Sequence, residues 1–173
     1  MTRWIAASLI LALLGGCACS RRRAAAEQAL VQEEEPFNGL ASFEVADPRA
    51  QGQLLAGWHE VEQGSWRWTE KHFAVALKTP AKGKAATLKL QFALPKALLA
   101  RLASITLAAT INGTALAPQT YRKPGEQVYA RSVPGEALNA EAVRVDFLLD
   151  KTLPPDERDK RELGVVVSSV GLE

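Results

Sequence analysis

The stretch Ala86-Thr87-Leu88-Lys89-Leu90-Gln91-Phe92-Ala93-Leu94 decides the fold class. Successive side chains of an extended strand point to opposite faces, so Ala86, Leu88, Leu90, Phe92 and Leu94 share one face and Thr87, Lys89 and Gln91 the other. The same period of two, rather than 3.6, recurs in three further segments. Phe73, Val75 and Leu77 alternate with His72, Ala74, Ala76 and Lys78. Ile105, Leu107, Ala109 and Ile111 alternate with Ser104, Thr106 and Thr110, and Val143, Val145, Phe147 and Leu149 with Arg144 and Asp146. Strands with one apolar and one polar face belong to antiparallel sheets that bury one side.

Weaker strands are expected over 54–62, 65–69, 116–121, 127–133 and 163–172. Turn chemistry separates them: Asn112-Gly113 suits the positive φ that both central residues of a type I′ turn require, and Lys82-Gly83, Pro124-Gly125 and Pro134-Gly135 mark further turns. Residues 95–103 break the alternation and read as one short helix with Pro95 in its first turn. Many short strands spaced by Gly and Pro, with almost no helix, give an all-β fold: an antiparallel two-sheet β-sandwich, with a jelly roll as the expected topology.

Outside this pattern lies a different N-terminus. A basic Arg3 precedes an apolar run from Trp4 to Leu14, then Gly15 and Gly16. This is the pattern of a signal peptide, and the run is far short of the ~20 residues a membrane-spanning helix needs. Leu14-Gly15-Gly16-Cys17 resembles the lipobox of bacterial lipoproteins, which implies cleavage after residue 16 and a lipid anchor on Cys17. An ordinary signal peptide with two incidental cysteines is the other reading. Arg21, Arg22 and Arg23 argue against export, because basic residues after an apolar run tend to hold that side in the cytoplasm. Both cysteines lie outside the folded part, so no disulfide framework is implied.

The expected organisation is therefore a signal peptide over 1–16, a lipidated Cys17 with a charged tether over 17–36, and a β-sandwich domain over 37–173. The 173-residue chain carries 21 basic and 19 acidic side chains, and removing residues 1–16 takes away only Arg3. The near-neutral remainder does not suggest nucleic-acid binding. The expected location is the cell envelope, lipid-anchored and facing the periplasm or cell surface. Ala18 after the anchor slightly favours the outer membrane by analogy with enteric sorting.

Four segments occur in order: Gly57-Trp58-His59-Glu60, Ser65-Trp66-Arg67-Trp68-Thr69, Ile111-Asn112-Gly113, and Asp159-Lys160-Arg161-Glu162-Leu163-Gly164 before an apolar strand. Together they resemble the galactose-binding-like jelly-roll domains found beside bacterial glycosyltransferases and on bacterial surface proteins, over about residues 53–173. That resemblance implies carbohydrate binding but transfers no ligand-binding residue set. The chain departs from it in carrying no fused enzyme.

The residues themselves nominate candidates. Trp66 and Trp68 share a strand face, where a pair of exposed rings suits the apolar face of a pyranose; a core-filling role is the alternative, and Trp58 is a third such candidate. Arg67, Asp159, Arg161 and Glu162 are expected to meet if the Trp-rich strand lies beside the C-terminal one, with Arg67, Arg161 and Glu162 in structural ion pairs. In the functional version of that cluster, Arg67 and Asp159 bind sugar hydroxyls. Catalysis has little to work with. His59 and His72 make no recognisable zinc site, and Glu60 and Glu62 on one strand lack the facing geometry of a glycosidase pair. No enzyme activity and no cofactor or metal is expected. Two functions stay open: a membrane-tethered module for a glycan or another envelope component, or an assembly lipoprotein that offers a sheet face or edge to a protein partner.

Overall fold

The alternating segments become strands that stack in two layers. The structure is a computed structural model and describes residues 37–173; the signal peptide, the Cys17 anchor and the tether lie outside the described residues. Nine strands form in chain order: β1 (Ser42–Glu44), β2 (Leu54–Glu62), β3 (Trp66–Lys78), β4 (Ala86–Leu94), β5 (Ile105–Ile111), β6 (Thr114–Tyr121), β7 (Gly125–Val133), β8 (Ala142–Leu149) and β9 (Val166–Leu172). Among the described residues one helix, α1 (Lys96–Leu102), and two 3-10 turns, Pro48–Gln53 and Gly135–Leu138, complete the elements.

Every ladder is antiparallel. One layer runs β6-β5-β8-β3-β2 and the other β7-β4-β9-β1, and they join where β3 pairs with β9 at Arg67↔Val167 and Trp68↔Val166. The chain changes layer from β1 to β2, from β3 to β4, from β4 through α1 to β5, from β6 to β7, from β7 to β8 and from β8 to β9, which is the winding of a jelly roll. The opposite edge is closed by side chains. Tyr129 Oη donates to the Ala117 carbonyl at 2.9 Å, Arg131 Nε donates to the same carbonyl at 2.7 Å, and Tyr121 Oη donates to the Val128 carbonyl at 3.1 Å. These bonds leave β6 and β7 less backbone to offer to a foreign strand.

Between the layers lie the apolar residues that the period of two picked out. Leu88, Leu90, Phe92 and Leu94 of β4 meet Ile105, Leu107 and Ile111 of β5, Val143, Val145, Phe147 and Leu149 of β8, and Phe73, Val75 and Leu77 of β3, all at most 1% exposed. Phe73 stacks on Phe147 with ring centres 4.9 Å apart. The β5–β6 hairpin turns through Asn112 (φ 46) and Gly113 (φ 84), both in the left-handed region.

Three expectations about elements are corrected. The strands read separately over 65–69 and from His72 onward are one 13-residue strand, β3. The C-terminal strand starts at Val166; Leu163 instead forms an isolated bridge with Leu153. β1 and both 3-10 turns have no counterpart in the alternation, because three residues of strand and a single turn are too short to show a period.

Each end of β3 has its own surroundings. At Lys78 the chain enters the domain: Lys78 N donates to the Leu40 carbonyl at 3.1 Å, and the Gln53 amide donates to the Leu40 and Ala76 carbonyls at 2.9 and 2.7 Å.

Candidate functional site

Trp66 and Trp68 project from the same side of β3 into a hollow of about 400 Å³, whose other walls include Ala93, Pro95, Lys96, Pro124 and Val166. Register explains its floor. Trp68 lies opposite Val166, Val166 opposite Ala93, and Ala93 opposite Glu126, so these four side chains form one row across β3, β9, β4 and β7. Val166 and Ala93 are small, so the row dips between the tryptophan and the carboxylate. The turn from Leu94 into α1 and the Pro124-Gly125 turn close one end.

The two indoles meet edge to face, with centres 6.4 Å apart and planes at 82°. They offer a corner of two perpendicular apolar planes. Trp68 packs partly against the core, and both residues are half-buried. The one charged residue in the lining is Lys96, which is exposed; Glu126 follows, exposed, at the end of the row on β7. An apolar floor with a few polar groups at its edge is the ordinary composition of a small-molecule site.

Trp58 is corrected as a ligand-binding candidate. Its indole N–H donates to the Ala74 carbonyl at 2.9 Å and its ring meets Phe73 edge-on at 5.2 Å. The cause is the irregular pairing of β2, which shifts register three times against β3, and Gly57 within it has φ 73. A Cβ there would collide with the His72 carbonyl, so the glycine permits a close approach that turns Trp58 onto the core.

Arg67 is corrected in both of its proposed roles. It points inward between the tryptophans, is 6% exposed, and makes no ion pair among the described residues. Nε donates to the Val45 carbonyl at 2.9 Å, Nη1 to the His59 carbonyl at 2.9 Å and Nη2 to Gln51 Oε1 at 2.7 Å. The planar fork thus satisfies backbone carbonyls where β1, β2 and β3 converge.

The Trp-rich strand does lie beside β9, yet the expected cluster divides. Arg161 grips Asp159 with Nε and Nη2 at 3.0 and 2.8 Å and reaches Glu62 Oε1 with Nη1 at 2.7 Å. Glu162 pairs with neither arginine: it accepts from Thr152 Oγ1 at 2.6 Å, while its carbonyl accepts from His59 Nε2 at 2.7 Å. The Arg161 guanidinium holds the Asp159 carboxyl down to about 2, and the Asp159 and Glu62 carboxylates together push Arg161 up. Asp159 thus serves as an internal acceptor for Arg161. Gly164 completes the pin: its N–H donates to the Thr69 carbonyl at 2.6 Å, and a Cβ there would strike Thr69 and Leu149.

His72 stands elsewhere, on the outer face of the other layer, 3.0 Å from Asp146, whose carboxylate Arg144 also holds at 2.8 Å through each of two nitrogens. Among the described residues no group of three His, Cys, Asp or Glu side chains is arranged to hold a metal ion. Ala93, Val166, Lys96, Pro124 and Glu126 were not legible as site residues. Only the register of four strands brings them together, and no local motif marks them.

No protein-family model matches the chain, and no curated protein does. Among solved structures it is similar to a carbohydrate-binding module of family 36 in complex with calcium and xylotriose, with 8% identity, a TM-score of 0.45, and coverage of 78% of this chain and 100% of that one. A family 35 carbohydrate-binding module from Clostridium thermocellum follows, with 10% identity, a TM-score of 0.44, and coverage of 76% and 96%. An exo-β-1,3-galactanase from Phanerochaete chrysosporium is similar at 11% identity and a TM-score of 0.47; the chain covers 29% of its length.

Proposed function

We propose that this chain is a non-catalytic, glycan-binding lipoprotein of the bacterial cell envelope, and that the hollow beside Trp66 and Trp68 is its binding site. One observation carries the reading: two indoles stand half-exposed at right angles over a floor of small residues, with Lys96 in the lining and Glu126 next along the row on β7. An apolar ring corner takes the C–H face of a pyranose, while Lys96 donates to and Glu126 accepts from hydroxyls at the ring's edge. Arg67, Asp159, Arg161 and Asp146, by contrast, already have partners within the domain. The anchor belongs to this reading through Gly15-Gly16-Cys17.

Isothermal titration of the full-length chain against linear xylo-, gluco- and galacto-oligosaccharides tests the site. Saturable binding by at least one series, lost in Trp66→Ala, is expected. Absence of binding to every series, together with one stoichiometric envelope protein on cross-linking, would replace this reading with the assembly lipoprotein. Mass spectrometry of the native N-terminus tests the anchor: a diacylglyceryl Cys17 is expected, and a chain still carrying residues 1–16 contradicts it.

A further inference from the structure

The hollow has walls at one end only. Pro95, Lys96 and Pro124 stand across it where β4 ends and β7 begins. Toward the middle of the β7-β4-β9-β1 layer the next row on the same face is Glu44, Ser169, Gln91 and Val128, and the one after it Ser42, Gly171, Lys89 and Ala130. The β9 members of these rows, Ser169 and Gly171, are short; on β4 Gln91 is longer, and Lys89 Nζ donates to Glu173 Oε2 at 2.7 Å. Gln91 is exposed and Ser169 half-buried. From Ala93 to Lys89 the path runs about 13 Å at strand spacing. The outer face of the other layer differs, because its central polar groups, Arg144, Asp146 and His72, are bound to one another.

We propose, resting on the glycan reading of the hollow, that the ligand is an extended chain of linked sugars: one unit seats in the Trp66/Trp68 corner and the following units lie along the outer face of β9 and β4. A site for a single terminal sugar surrounds its ligand, and this one is open along the strands. The Gln91 amide both donates and accepts, and the Ser169 hydroxyl does likewise, so the pair can follow the hydroxyls of a sugar beyond the corner. The bulge in β9 at this point, where the register shifts between Gln91 and Phe92, adds local twist to the track. The chain runs from the walled end toward Ser42 and Lys89.

The test is a length series. The full-length chain is titrated with β-linked oligosaccharides of two to six units from whichever series binds, and again as the double variant Gln91→Ala/Ser169→Ala. Affinity is expected to rise about tenfold from the disaccharide to the hexasaccharide. The double variant should bind the hexasaccharide no more tightly than the unsubstituted chain binds the disaccharide, and melt at an unchanged temperature. A disaccharide that already binds as tightly as the hexasaccharide, or a rise that survives in the double variant, overturns the extended track and leaves the corner site standing. Failure of every length to bind overturns the corner site, and the track with it.

Discussion

Consecutive residues at the start of β3 obey opposite rules. Arg67 and Thr69 are polar and buried, at 6% and 0% exposure, whereas Trp66 and Trp68 between and beside them are apolar and half-exposed. On the inward side every strong donor has a partner: the guanidinium reaches two carbonyls and an amide oxygen, and Thr69 Oγ1 accepts from Val165 N. A buried polar group with its bonds complete holds the fold together, and large apolar rings left partly in water are surface that another molecule can cover. The comparison separates a structural side from a binding side within four residues.

Breaking the inward side should have the largest effect. Arg67→Ala leaves the Val45 carbonyl and its neighbours buried without a donor, and is expected to cost about 3 kcal/mol of stability. A lowered urea midpoint with an unchanged slope checks it; a loss below about 0.5 kcal/mol would mean that water replaces the guanidinium and that the convergence of β1, β2 and β3 is held by something else.

The tryptophans sharpen the comparison because the two kinds of site are filled by one residue type. Trp58→Ala removes an edge contact with Phe73 and a hydrogen bond to Ala74, so it should cost about 2 kcal/mol of stability while leaving sugar affinity alone. Trp66→Ala should do the reverse: binding roughly thirtyfold weaker, with stability changed by less than about 0.5 kcal/mol. Thermal melting and titration on the same two variants read both quantities, and equal effects of the two on binding would erase the distinction between them.

The smallest effect belongs to the loop before β9. Arg161 depresses the Asp159 carboxyl to about 2, so the pin is complete above the ordinary carboxylate range near 4 and is lost as pH falls toward 2. Asp159→Asn should flatten the pH dependence of amide exchange around Leu153 and Leu163 between pH 4 and 2. Identical profiles in the two proteins would show that Glu62 alone holds the guanidinium.

The core strands could be read directly because their inward residues are Leu, Ile, Val and Phe at every second position. β3 was harder to read for a physical reason. Arg67 and Thr69 occupy inward positions, Lys71 follows at the next, and Glu70, Lys71 and His72 are all exposed, so the strand looks interrupted where its side chains are merely polar. Of the site, sequence shows that Trp66 and Trp68 share a face, since that needs only the period of a strand. It cannot show that Val166, Ala93 and Glu126 complete the row, which depends on pairing between residues up to a hundred positions apart. Trp58 was misassigned because the Gly57 irregularity rotates it, and Arg67 because a guanidinium satisfied by carbonyls leaves no carboxylate partner to find in the sequence.

The central claim is that the Trp66/Trp68 corner, and not the tryptophan against Phe73, meets the sugar. Indole N–H resonances of the full-length chain, assigned by single Trp→Phe variants and followed during titration with the oligosaccharide that binds, test it most directly. The Trp66 and Trp68 signals should shift saturably while the Trp58 signal stays within line width. Saturable binding that moves Trp58 and leaves the other two unchanged would contradict the account.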